Sequence, residues 1–136
     1  MAIALEIVSP EKLLLSEDVG MVVLPAAEGD LGVLPGHAPM IVSLRGGVIS
    51  IYEDGKSVSA RLFVAGGFAE ITDKRCTILA DEAVAVADLS RATAQIRLAE
   101  AEAAWQAADK MDIAAVYDSQ DRLSAARAMV DAAQSA

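Results

Sequence analysis

Gly47-Val48-Ile49-Ser50-Ile51-Tyr52, then Glu53-Asp54-Gly55, then Ser57-Val58-Ser59-Ala60-Arg61-Leu62-Phe63-Val64, is the stretch that sets the fold class. Its first run alternates apolar and polar positions with a period of two, which puts one set of side chains on each face of a half-buried strand. Asp54-Gly55 is a hairpin signal, because a primed two-residue turn needs positive φ at both central positions. The run from Ser57 to Val64 is the expected return strand.

Outward from this hairpin the pattern repeats. Upstream, Ile3-Ala4-Leu5-Glu6-Ile7-Val8 roughly alternates, and Val19-Gly20-Met21-Val22-Val23-Leu24 is a β-branched run ending at Pro25. Downstream, Phe68-Ala69-Glu70-Ile71-Thr72 and Cys76-Thr77-Ile78-Leu79 are joined at Asp73-Lys74. Short strands with turns every ~8–12 residues predict an all-β sandwich or barrel. Cys76, inside an apolar strand, is expected to be a small core residue.

After residue 88 the period changes. No Gly or Pro follows Gly67, and Ala becomes dense. A helix is expected over residues 89–108, with Ala94, Leu98, Ala101, Trp105 and Ala108 on one face. A second is expected over 113–133, with Val116, Leu123, Ala126, Val130 and Ala133 in line and Asp112 as its N-cap. The short polar link Asp109-Lys110-Met111-Asp112 makes the two antiparallel neighbours. An Ala seam lets helices approach to ~8 Å, yet each Ala methyl contributes only about 1 kcal/mol or less. The hairpin is therefore expected to dock modestly, and Trp105 to serve packing. The expected organisation is α+β: a β-sandwich domain over 1–86, then a helix–loop–helix domain over 87–136.

Composition narrows the function. The chain is 54% apolar and 4% aromatic, with formal net charge −9. No run of bases offers a nucleic-acid backbone or anionic lipid a binding surface. No apolar run approaches the roughly 18 residues of a membrane span, and no signal peptide is expected. One Cys excludes an intrachain disulfide, and one His leaves catalytic or metal chemistry at most one imidazole. A soluble cytosolic protein without catalytic residues and without a metal site is expected, with basic surfaces as favoured partners.

The densest signal is Leu24-Pro25-Ala26-Ala27-Glu28-Gly29-Asp30-Leu31-Gly32-Val33-Leu34-Pro35-Gly36-His37-Ala38-Pro39. Glycines permit tight turns and prolines fix φ, so this is a shaped, stiff loop with a short strand in its middle. It reads either as turn chemistry between strands or as a platform presenting Glu28 and Asp30 to a basic surface.

This stretch resembles the signature of the epsilon subunit family of F-type ATP synthases. Val8-Ser9-Pro10, Gly66-Gly67-Phe68-Ala69-Glu70 and Thr77-Ile78-Leu79-Ala80-Asp81 resemble other family motifs in the same order. The resemblance implies a sandwich of about ten strands in two sheets with a helical hairpin behind it. It implies a non-catalytic rotor subunit of the central stalk, peripheral at the cytoplasmic face of the inner membrane. Its partners would be the gamma subunit, the c-subunit ring and, transiently through the helices, the alpha/beta catalytic head. By the same resemblance Glu28, Gly29, Asp30, Leu31, Gly32 and His37 face the ring, and Ser9 and Met40 face gamma.

In the family the hairpin can also extend and inhibit ATP hydrolysis, or bind ATP as a regulatory ligand; no other cofactor is implied. Two registers are open for the ATP motif. One gives Leu89-Ser90-Arg91-Ala92-Thr93-Ala94; the other restores Asp88 and Arg91, with Ala92 following. Arg122 and Arg127 would complete the site from the second helix. Against it, Asp88 or Ser90 serves equally as a helix N-cap. For inhibition, Arg122 and Arg127 stand among Asp112, Asp118, Asp121 and Asp131, an arrangement expected to grip acidic loops poorly. The competing function is a stand-alone β-sandwich protein-binding module with a helical cap.

Overall fold

The computed structural model describes residues 2–134, so Met1, Ser135 and Ala136, at the ends of the two expected domains, lie outside the described residues. Ten strands come first: β1 (Ile3–Val8), β2 (Leu13–Val19), β3 (Met21–Ala26), β4 (Gly29–Val33), β5 (Met40–Leu44), β6 (Gly47–Tyr52), β7 (Ala60–Val64), β8 (Gly67–Ile71), β9 (Arg75–Ala80) and β10 (Ala83–Ala85). A 3₁₀ turn over Val86–Asp88 leads into α1 (Arg91–Ala107) and α2 (Ile113–Gln134).

The strands form one hydrogen-bonded path, β10-β7-β6-β3-β5-β8-β9-β1-β2, with β4 paired to β3. β1 and β9 are parallel and the other neighbours antiparallel. β3 meets β5 through one pair, Ala26 and Leu44. The path curls there, so the expected two sheets are two halves joined at a corner: β10-β7-β6-β3-β4 and β5-β8-β9-β1-β2. Between them lies the core. Ile3, Leu5 and Ile7 from β1, Ile49 and Ile51 from β6, and Cys76 and Ile78 from β9 are fully buried at alternate positions. Each large aliphatic side chain there contributes roughly 1.5–3 kcal/mol by leaving water.

Two local expectations are corrected. The run 19–24 is not one strand: Val19 closes β2 and Met21 opens β3, with Gly20 at the bend. A β-carbon on Gly20 would meet the Gly55 nitrogen at 2.5 Å, so the chain must be bare there. Nor is the β6–β7 connection a two-residue turn. The return strand starts at Ala60, not Ser57. Gly55 has φ of 75° but Asp54 does not have positive φ, which excludes the primed type. Instead the Asp54 carboxylate accepts from the backbone of Lys56 at 2.8 Å and Ser57 at 3.0 Å. An Asx-type turn has outcompeted the hairpin turn. β2 and β10, which the pattern did not reveal, lie at the two ends of the strand path.

The helices follow their caps. Ser90 Oγ accepts from the Thr93 backbone at 3.2 Å and starts α1 at Arg91, two residues later than expected. Asp112 Oδ1 accepts from the Ala115 backbone at 3.3 Å, the expected N-cap of α2. Ala101, Leu123 and Ala126 form the seam between the helices, with Leu98 and Trp105 at its margin. The dock onto the sheet is richer than the Ala stripe alone suggests: Phe63 and Val86 meet Met129, Val130, Ala132 and Ala133. α2 uses one face for α1 and an adjacent one for the sheet, and the second carries Met129. The hairpin is thus folded against the outer face of β6 and β7.

Candidate functional site

The chain's two phenylalanines both point outward from the sheet, and they meet opposite fates. Phe63 on β7 pairs with Val48, lies under the hairpin and is fully buried. Phe68 on β8 belongs to the other half of the strand path and is 46% exposed. Nothing among the described residues covers it.

Phe68 is the centre of an apolar row. Its cross-strand partners are Ser43 on β5 and Leu79 on β9. Leu79 pairs in turn with Val8 on β1, and Val8 with Leu13 on β2. Leu79 and Leu13 are exposed, as is Ile41 in the next row, opposite Glu70. Isolated surface hydrophobics are ordinary, but an apolar row across β8, β9, β1 and β2 with Ile41 of β5 beside it is a candidate interaction face. Ser9 stands at one end of the row, directly after Val8, where its backbone and its hydroxyl both donate to the Lys12 carbonyl. Met40 is opposite Ile71, whose side chain is interior, so Met40 is on the inward phase of β5 and exposed only at the rim. Ile41 is the β5 residue that shares the outer face.

Ile41, Phe68, Leu79 and Leu13 were not singled out from the sequence. A signal existed: in Phe68-Ala69-Glu70-Ile71 the Phe shares its phase with Glu70, and Ala69 and Ile71 take the core. A large aromatic in the polar phase of a strand departs from the polar-out alternation of a solvated sheet face.

The acidic turn rises beside the other end of the row. The Ala27 backbone donates to the Ser43 carbonyl at 2.9 Å. Glu28 lies between β3 and β4, and Gly29 has φ of 142°, a left-hand conformation few other residues adopt. Pro25 is buried below. Gly29, Asp30, Leu31 and Gly32 all belong to β4, paired to Ala26, Pro25, Leu24 and Val23. The two carboxylates are not equivalent. Asp30 Oδ1 accepts from Arg45 Nη2 at 2.5 Å, whereas Glu28 is exposed with no ion-pair partner among the described residues. Arg45 also donates through Nη1 to the Ala26 carbonyl at 2.5 Å, tying the turn to the sheet corner. His37 stands apart, beyond β4, its Nδ1 2.7 Å from the Ala38 carbonyl, while the neighbouring Gly36 backbone donates to the Asp73 carbonyl at the far end of β8. The loop therefore splits into an acidic turn at one end of the sheet and a His37 segment at the other.

The residues suggested for ATP fall on two cavities that share Glu82, Arg97 and Met129, and on the ends and outer faces of the helices. Asp88 lies in the 3₁₀ turn and lines a small cavity of about 180 Å³ with Ser90 and Arg97. Arg91 turns away to donate to the last carbonyls of α2, Ala133 and Gln134, each at 3.3 Å. Ala92 is exposed on the first turn of α1. Arg122 lines a cavity of about 330 Å³ between hairpin and sheet, with Glu82, Arg97, Glu100 and Met129, and Arg97 is already paired with Glu82 at 2.5 Å. Arg127 is exposed on α2. Cys76 is fully buried, and burial pushes its thiol up to about 12. That suits a core residue and not a nucleophile.

The family model for the ATP synthase delta/epsilon chain β-sandwich domain matches residues 2–86. The chain is 62% identical over 131 residues to the ATP synthase epsilon chain of Granulibacter bethesdensis, covering 96% of each. It is 50% identical to the epsilon chain of Gluconacetobacter diazotrophicus, covering 98% of this chain and 94% of that one. Among solved structures, it superposes with a TM-score of 0.78 and 25% identity on a chain of the Euglena gracilis mitochondrial ATP synthase, solved with OSCP, F1 and c-ring, covering 96% of this chain and 81% of that one. A chain from the central stalk and c-ring structure of the Tetrahymena thermophila enzyme shares the fold, with a TM-score of 0.67 at 19% identity, covering 98% and 97%.

Proposed function

This chain belongs to the ATP synthase epsilon-chain family, and from that premise we propose that its bare apolar sheet face docks the gamma subunit while its acidic turn meets a basic loop of the c ring. As an epsilon chain it is a non-catalytic subunit of the central stalk. It is a peripheral component of the complex, and no helix among the described residues is long and apolar enough to cross a membrane. We assign it to the cytoplasmic face of the inner membrane.

The observation that carries this reading is the contrast between Phe63 and Phe68. Two equivalent outward aromatics are built, one sealed by the chain's own hairpin and one left for another surface. Ser9 and Ile41 border that second face, with Met40 at its rim. Burying Phe68, Leu79, Leu13 and Ile41 supplies adhesion without chemistry, which is what a coupling element needs. The turn at one end of the row adds charge selection. Glu28, without an ion-pair partner among the described residues, is the first carboxylate to meet the ring's basic side chain, a contact worth roughly 0.5–3 kcal/mol depending on how far it is desolvated. Asp30 shapes the turn through Arg45 in the free chain and is the second carboxylate offered to the same basic loop. Rotation of the ring is thereby transmitted to gamma through a body that adheres to both.

Glu28→Lys tests the ring contact. It leaves the Asp30–Arg45 pair and the apolar face intact, so gamma should still co-purify while retention of the c ring falls. Unchanged ring retention would remove the acidic turn from the account.

A further inference from the structure

We propose that Arg45 is an exchange switch, which passes from Asp30 on the acidic turn to Asp131 on α2 when a basic partner takes Asp30. Arg45 sits at the sheet corner, between β5 and β6. Its guanidinium holds Asp30 Oδ1 and the Ala26 carbonyl. The same residue lines a groove of about 330 Å³ with Gly46, Gly47 and Val48 on one side and Ala128, Asp131 and Ala132 on the other. Asp131 is exposed and has no ion-pair partner among the described residues. One cation thus stands between two carboxylates, one engaged and one waiting.

The geometry makes the exchange cheap and local. Both ends of the Arg45–Asp30 pair are open to water, with side-chain exposures of 43% and 66%, so the pair is weakly held and reversible. The next residue, Gly46, lies close against the α2 backbone, where an added β-carbon would meet the Ala125 Cα at 2.6 Å. A basic side chain arriving at the turn competes with Arg45 for Asp30. The displaced guanidinium keeps its backbone fixed beside α2 and finds Asp131 across the groove. A cation near the C-terminal end of a helix is favoured by the helix dipole as well. Occupancy of the turn is then reported across the groove to the last turns of α2 by one side chain.

The proposal rests on the turn being a docking point, but the exchange itself is testable in the isolated full chain, where the ring contact plays no part. Asp30→Asn removes the first partner and mimics its occupation. Hydrogen exchange of the amides in residues 126–134, followed by mass spectrometry, should slow about two- to fivefold, the size of one exposed ion pair. Asp131→Asn in the same background should cancel the slowing. Unaltered exchange in Asp30→Asn overturns the switch, as does slowing that persists without Asp131.

Discussion

A β-carbon on Gly46 would lie 2.6 Å from the Ala125 Cα, so the corner between β5 and β6 touches the backbone of α2 directly. Small residues on both sides let the helix lie flat on the sheet, and Phe63, Met129 and Val130 complete the contact.

Gly46→Val should therefore lift the hairpin from the sheet and leave the β half folded. Overpacking of this kind costs about 1–3 kcal/mol. Limited proteolysis within residues 86–134 should become several-fold faster, while fragments of the β half persist. Equal protease resistance would mean that the contact is softer than the geometry states.

The β6–β7 connection carries a pH signature. Backbone N–H groups of Ser57, then Lys56, hold the Asp54 carboxyl below its ordinary value of 3.8. A depressed carboxylate contributes stability above its unfolded value and loses it as pH falls through the folded one. Asp54→Ala should narrow its deficit relative to the parent as urea melts are taken from pH 6 down through that region. A deficit that stays constant into strong acid would assign the loop to other contacts.

Cys76 offers a clock for opening. Fully buried and with its thiol raised to about 12, it should resist thiol reagents at pH 8 until the core opens. Labelling in urea should track global unfolding. Fast labelling in buffer would place Cys76 outside the core.

The fold was largely legible because its signals were local. Alternation in residues 3–8 and 47–52 announced strands with two distinct faces, Asp112 announced α2, and α1 is capped by Ser90, one of the two candidates the sequence offered beside Asp88. What escaped depended on competition or on distance. Asp54-Gly55 carries a hairpin signature, but the Asp54 side chain prefers its own backbone neighbours. β2 hid because Ser16, Glu17 and Asp18 sit on an edge strand that water reaches. At the candidate site, Glu28 and Asp30 were legible as a pair of acids. The partnership of Asp30 with Arg45 was not, since it joins residues far apart in sequence across a corner. The apolar row escaped for the same reason: Val8, Phe68 and Leu79 become neighbours only once the strand path is known, and a parallel β1–β9 pair cannot be read from adjacent turns.

The proposed adhesion to gamma centres on the bare face around Phe68. The direct measurement is co-purification of gamma with a Phe68→Asp, Leu79→Asp chain, its fold verified by circular dichroism, beside an Ile96→Asp control on the exposed side of α1. The double variant should fold and lose gamma by about tenfold or more, roughly 1.4 kcal/mol of adhesion, while the control retains it. A folded double variant that holds gamma as tightly as the parent would contradict the proposed adhesion.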